Sequence, residues 1–195
     1  MTTMLTWQAH DGHGFEGARV HFGVGKAFRA LGRIVRADPG GDWTASYRLV
    51  IGEDGSVERA SFTSATAERE RHLTVNRTED GYWLLDTGSG GTRNDFSGAV
   101  DVDLAGSVIF NALPVRRLDL HRQVGEYTLP VLYVTLPGLE TSVAQQTYRV
   151  LTSGVEPVVE FQWDDFTADL SIDADGFVID YPGLAGRYVG APAAS

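Results

Sequence analysis

Apolar and polar residues alternate along most of this chain, in short β-branched or aromatic runs that break at acid-rich turns ending in glycine. Three breaks are sharp. "YRLVI" runs through Gly52-Glu53-Asp54-Gly55 into "SVERASF", "HLTVN" through Glu79-Asp80-Gly81 into "YWLLD", and "DLSID" through Ala174-Asp175-Gly176 into "FVIDY". Asp-Gly supplies the positive φ of a tight reversal, so each break predicts an antiparallel hairpin. Tyr47, Leu49 and Ile51 fall on one face of the first hairpin, and Phe177, Ile179 and Tyr181 on one face of the last. Further strands are predicted at 18–23, 98–104, 115–121, 129–135, 145–151 and 157–163.

Helical periodicity is thin. "ATAERERH" has the composition for two turns, and "VGKAFRALGRIV" spaces Val24, Phe28 and Leu31 along one side but is interrupted by Gly25 and Gly32. One or two short helices are expected. The hairpins are unevenly spaced and otherwise dissimilar, which excludes a solenoid or propeller repeat. No charge run or proline-rich linker divides the chain, so a single domain is expected over 1–190, with a frayed tail at 191–195. So many antiparallel strands cannot stay flat without leaving long open edges; they must curl, close or split. The expectation is a mainly-β protein built on one long antiparallel sheet curled on itself.

Composition narrows the functional classes. The chain has 195 residues, 43% of them hydrophobic, enough for one core, and its apolar runs fall short of the roughly 20 residues that span a bilayer. The opening "MTTMLTWQAHDGHG" has neither a basic n-region nor a long apolar h-region, and the cytoplasm is the expected location. Cysteine is absent, which removes disulfides, thiolate metal sites and cysteine nucleophiles. A formal charge of −10 argues against a broad nucleic-acid surface and against anionic membranes. Lys26 is the single lysine against fifteen arginines, a bias that carries no functional weight here.

Several motifs tempt and then fail on their own chemistry. "LLDTGSGG" at 84–91 is similar to an aspartic protease loop, but a second copy for the shared proton is missing from the chain, so only a homodimer would supply it, and a strand ending in a glycine loop is the expected reading. "HFGVGKAFRALG" lacks the glycine and Ser/Thr of a Walker loop, having Val20 and Ala27 there, and has Phe28 where a dinucleotide fingerprint needs a small residue. His10, Asp11 and His13 sit close together but give too few ligands for a built metal site. His21, His72 and His121 are scattered. Asp173, Asp175 and Gly176 begin like a calcium loop, yet Pro182 to Leu184 stands where its glutamate belongs. No metal or other cofactor is expected.

Residues 101–120, "DVDLAGSVIFNALPVRRLDL", hold the most informative charge order. On a strand, Asp101 and Asp103 share one face and Val102 and Leu104 the other. Read as a strand starting at Pro114, the next segment sends Arg116 and Arg117 to opposite faces, so one of them meets the acids. Two readings follow: an ion pair between neighbouring strands, or a polar patch that grips the head group of a ligand.

This stretch, with Gln146-x-Tyr148 and "FTADLSIDADGFVIDYPGLAGR" at 166–187, resembles the family described as "putative glycolipid-binding", a former domain of unknown function. The likeness is strong from about residue 82 to 189 and looser earlier, through Trp7, Glu16, "SYRLVI" and Trp83. The family usually has Gly-Cys where this chain has Gly98-Ala99, and Thr-Pro followed by Thr-Asn-Thr where it has Ser107-Val108 and Phe110-Asn111-Ala112. The resemblance implies a spiral β-roll similar in shape to bacterial lipoprotein carriers. It also implies a non-enzymatic binding protein for a glycolipid or another amphipathic small molecule. Head-group contacts are then expected from Asp101, Asp103, Asn111, Arg116 and Arg117, and tail contacts from Trp83, Trp163 and Tyr181. Two alternatives stay open: a structural or protein-interaction module, and a hydrolase working through Asp101 and Asp103.

Overall fold

The computed structural model describes residues 1–190; the tail expected to fray, 191–195, lies outside them. The first half is an antiparallel meander of β1 (Thr2–Ala9), β2 (Gly14–Phe22), β3 (Phe28–Asp38), β4 (Gly41–Ile51), β5 (Val57–Ala65), β6 (Glu70–Arg77), β7 (Trp83–Asp86) and β8 (Gly91–Asn94). After β9 (Asp101–Leu104), a 3-10 turn at Ile109–Asn111 runs into the helix α1 (Ala112–Arg117). The second half is β10 (Glu126–Val134), β11 (Thr141–Thr152), β12 (Val158–Trp163), β13 (Phe166–Ile172), β14 (Val178–Tyr181) and β15 (Ala185–Arg187).

All fifteen strands form one sheet in the order β8 to β1, then β15 down to β9. The sheet is not closed, and β8 and β9 are its edges. β1 joins the two halves through β15, with Trp7 opposite Arg187. The three hairpin turns form as the sequence predicts, with Gly55, Gly81 and Gly176 at φ of 87°, 86° and 85°. One pairing departs from the expected all-antiparallel sheet: β9 and β10 run parallel. A parallel pair needs a crossover, usually helical, and the 105–125 segment with α1 provides it.

That crossover corrects the strand expected at 115–121. Pro114 sits in the first turn of α1, where its missing N–H costs nothing. The two helices considered from sequence are not formed. "ATAERERH" turns from β5 into β6, closed by Thr66 N–H donating to Arg69 O at 3.0 Å, and "VGKAFRALGRIV" is a turn followed by β3. In β3, period two overrides the helical spacing: Phe28, Ala30 and Ile34 are buried while Arg29, Leu31, Arg33 and Val35 face outward. At the last hairpin a register shift between Ser171 and Ile172 breaks the expected alternation, so Val178 and Tyr181 are buried and Ile179 is exposed.

The crossover packs into the buried core. Ile109, Phe110, Leu113 and Val115 of the crossover are fully buried. Phe110 packs against Tyr47 at 5.2 Å and Phe62 at 6.0 Å between ring centres. Trp83, expected to touch ligand, is instead fully buried and donates its indole N–H to Ala99 O at 2.9 Å. Trp7 does the same to Val178 O at 2.8 Å.

Candidate functional site

The parallel pairing of β9 with β10 sets Asp101 opposite Val131 and Asp103 opposite Tyr133. On the next strands the same face carries Gln146 and Tyr148, then Phe161 and Trp163. The two acids therefore look onto one aromatic wall, but their surroundings differ.

Asp101 is 1% exposed and is held by Arg117, whose Nη2 donates to Oδ2 at 2.6 Å and whose Nε lies 3.2 Å from both oxygens. Burial pushes its carboxyl up and the guanidinium opposes the rise. The pair joins α1 to β9, so the contact expected between strands is made by a helix. Arg116, about 100° further round that helix, goes elsewhere. Its guanidinium lies 5.0–5.3 Å from the ring centres of Phe22, Phe28 and Phe177 and donates to Asp175 O. Asp101 and Arg117 are thus committed to each other, and Arg116 is remote from the acids.

Asp103 is partly exposed and has no cationic partner. No ion pair among the described residues includes it. Gln146 Nε2 donates to its Oδ2 at 2.6 Å. Behind this bond lies a chain with a fixed direction: Asn111 Nδ2 donates to Tyr148 Oη at 3.1 Å, and Tyr148 O–H donates to Gln146 Oε1 at 3.1 Å. Both amide ends are thereby set, and Gln146 must present its N–H to the carboxylate. Burial pushes the Asp103 carboxyl up to about 6, against the opposing effect of the Gln146 amide and the Leu104 N–H.

Aromatic rings surround this carboxyl. Tyr133 packs on Trp163 with centres 4.6 Å apart, and Phe161 contacts Tyr148 at 5.2 Å and Tyr181 at 5.9 Å. Burial, and after it the charge of Asp103, raises the phenols of Tyr133 and Tyr181. Tyr133 and Trp163 are half-buried and Phe166 is exposed, so the cluster reaches solvent. A lone carboxylate beside ring faces can accept hydroxyls while the rings cover an apolar C–H face.

Of the residues expected from sequence, the structure brings together Asp103, Asn111, Trp163 and Tyr181. It adds Gln146, Tyr148, Tyr133 and Phe161. The available signal for the additions was period two: Gln146-x-Tyr148 and Phe161-x-Trp163 must each share a face.

The other motifs have structural roles. Asp86 of "LLDTGSGG" is exposed and accepts from Gly88 N–H at 2.7 Å. Lys26 Nζ donates to Arg117 O at 2.7 Å and to Asp119 at 2.6 Å. His10 lies 3.0 Å from Asp180, and Asp11 is taken by Arg36. Asp173 closes its turn by accepting from Asp175 and Phe177 N–H.

The family model described as "Putative glycolipid-binding" matches residues 4–187. Among solved structures, a DUF1089 family protein from Pseudomonas aeruginosa is similar at 26% identity and a TM-score of 0.74, over 89% of this chain and 92% of that one. A β-barrel-like protein of domain of unknown function DUF1849 from Brucella abortus has a TM-score of 0.52 at 10% identity, over 95% of this chain and 93% of its own, a likeness of fold alone. No curated protein matches the sequence. Because that family model spans residues 4–187 of the 195, the chain belongs to the family described as putative glycolipid-binding.

Proposed function

We propose that this protein binds the hydroxyl-rich head group of an amphipathic molecule, such as a glycolipid, at Asp103, without altering it. One observation carries the reading: a partly exposed carboxylate with no cation, aimed by the Asn111–Tyr148–Gln146 chain and set among Tyr133, Trp163 and Tyr181. The family description points to the same ligand class. Trp83, Arg116 and the Asp101–Arg117 pair belong to the scaffold in this reading. A single spiral roll over 1–190, working in the cytoplasm, is part of the proposal; no helix of the described residues is long and apolar enough to cross a membrane.

The test uses octyl β-glucoside below its micellar concentration, titrated by calorimetry or followed by Trp163 fluorescence. Asp103→Asn is expected to weaken binding about 10-fold or more, from the loss of one charged acceptor at roughly 1.5–3 kcal/mol. Wild-type affinity is expected to rise from pH 5 to 7 as the carboxyl ionises, with a midpoint near its value of about 6. Stability runs the other way. The folded carboxyl binds its proton more tightly than the unfolded one, so its contribution is full at low pH and is lost as pH rises through about 6. Urea unfolding should show a loss of about 2–3 kcal/mol between pH 4 and 7.5 that Asp103→Asn removes. Glucoside binding that ignores both the variant and the pH overturns the assignment.

The same poise near neutrality suits a general acid or base, which is the second reading. Asp101 cannot serve as the partner while Arg117 holds it. Release of sugar from a bound aryl glycoside, abolished in Asp103→Asn while binding persists, selects that reading over a carrier.

A further inference from the structure

The outward face of β1–β5 shows a different chemistry from the rest of the molecule. Its residues line one cleft of about 1090 Å³, slightly above the ~300–1,000 Å³ typical of small-molecule sites. Arg19, Arg33, Arg48 and Arg59 point into it, and no aspartate or glutamate lines it, in a chain with 26 acidic residues and a formal charge of −10. None of the four arginines takes part in an ion pair or side-chain hydrogen bond among the described residues; Arg29, Arg69, Arg71, Arg77 and Arg122 are equally unpaired, but only these four share this cleft. These cations are unspent.

Between the arginines the floor is apolar. Strand register places Met4 beside Arg19, Arg19 beside Leu31 and Leu31 beside Arg48, so charge and hydrocarbon alternate across one row. Met4 is 66% exposed, Val35 56%, and Phe15 and Leu31 44% each, far more apolar surface than period two requires on a polar face. Gly17 also faces outward, and a Cβ built there meets nothing within 4 Å, which leaves the floor open at its centre.

We infer that this cleft binds one molecule of an anionic lipid, its phosphate held by the arginines and its acyl chain laid along Met4, Phe15, Leu31 and Val35. Guanidinium groups match phosphate through paired N–H donors, and the absence of lining carboxylates leaves them free to do so. Charge and hydrocarbon side by side in one cleft suit a single amphiphile. The site stands apart from Asp103, on the opposite face of the sheet in the other half of the chain, and does not depend on the reading given there.

The test is calorimetric titration of the full chain with oleoyl-lysophosphatidic acid below its micellar concentration. Oleoyl-lysophosphatidylcholine has the same chain with a zwitterionic head, and glycerol 3-phosphate has the same head without the chain. One-to-one binding of lysophosphatidic acid is expected, at least 10-fold tighter than either control and weaker as salt rises. Arg33→Ser with Arg48→Ser should cost 10-fold or more. Gly17→Phe, which keeps every charge and fills the floor, should do the same; circular dichroism checks that both variants fold. Asp103→Asn should leave this affinity unchanged, so failure here and failure at the glucoside site are read separately. Equal binding of the two lipids overturns the inference, as does glycerol 3-phosphate binding as tightly as the lipid, which would mark a free-phosphate site. So do full affinity in both variants, binding confined to phosphatidylglycerol vesicles, or a lipid-free dimer seated on this face in native mass spectra.

Discussion

Arg117→Met is expected to lower the unfolding free energy by about 3–5 kcal/mol, chiefly because Asp101 is left buried with no partner. The side chain of Asp101 is 1% exposed and that of Arg117 is 17%, so water reaches only the far side of the guanidinium. Three N–H···O contacts, one at 2.6 Å and two at 3.2 Å, are lost together. Arg117→Lys keeps the charge but not the fork, and recovers only part of the deficit. Asp101→Leu with Arg117→Met should recover most of it, since removing both charges also removes the desolvation that the pair must offset. The deficit of the single variant should shrink as pH falls, because burial already favours the protonated form of Asp101 and losing Arg117 favours it further. Urea unfolding of the four proteins at pH 7 and at acid pH measures all of this. A loss under about 1 kcal/mol for Arg117→Met would show that Asp101 finds water or another donor.

The hairpins were legible because their signal is local: an Asp-Gly reversal and the alternation on either side suffice, and Gly55, Gly81 and Gly176 adopt the positive φ they are needed for. What surrounds Asp103 was only half legible. Two acids two apart must share a strand face, and Gln146-x-Tyr148 must share another, but nothing local says that β10 lies between β9 and β11 and sets these faces side by side. The helix α1 was misread for a related reason. "ALPVRR" has good helix formers in Ala112, Leu113 and its two arginines, but Pro114 and Val115 interrupt them within six residues, and the segment is helical where a parallel pair at the sheet's edge needs a crossover. Once that segment is helical, Arg116 and Arg117 part company by rotation rather than by strand alternation. The basic cleft was hidden in the same way: Arg19, Arg33, Arg48 and Arg59 lie on four different strands and meet only through register. Net charge, which argues against a broad nucleic-acid surface and against anionic membranes, averages over faces that the fold keeps apart.

Glu16→Ala is expected to cost about 3–5 kcal/mol, although nothing in the local sequence marks this residue as more than a polar break in β2. It is 4% exposed and holds the crossover segment against the first half of the sheet. Tyr47 O–H and Ser107 O–H donate to its Oε1, each at 2.6 Å, and Val108 N–H donates to its Oε2 at 2.6 Å. Burial pushes the Glu16 carboxyl up and these donors oppose it. Removing the carboxylate strands three buried donors, each worth roughly 1–3 kcal/mol when unpaired, with partial relaxation reducing the sum. Glu16→Gln keeps one acceptor but turns an N–H toward a donor, and should fall between the alanine variant and wild type. Gly32→Ala acts on the same pin from below, because a Cβ there would stand 1.9 Å from Tyr47 Cζ and drive the ring off Glu16. Tyr47→Phe removes one donor of three and should cost only about 1 kcal/mol. Thermal unfolding ranks the four variants, and hydrogen exchange at 107–111 locates the loss; protection unchanged in Glu16→Ala would refute the pin. The consequence reaches the candidate site, since Ser107 and Val108 lead directly into Asn111, the first donor of the chain that aims Gln146 at Asp103. Glu16→Ala should therefore weaken glucoside binding at an intact Asp103, while Arg33→Ser with Arg48→Ser, on the outer face of the same strands, leaves it untouched.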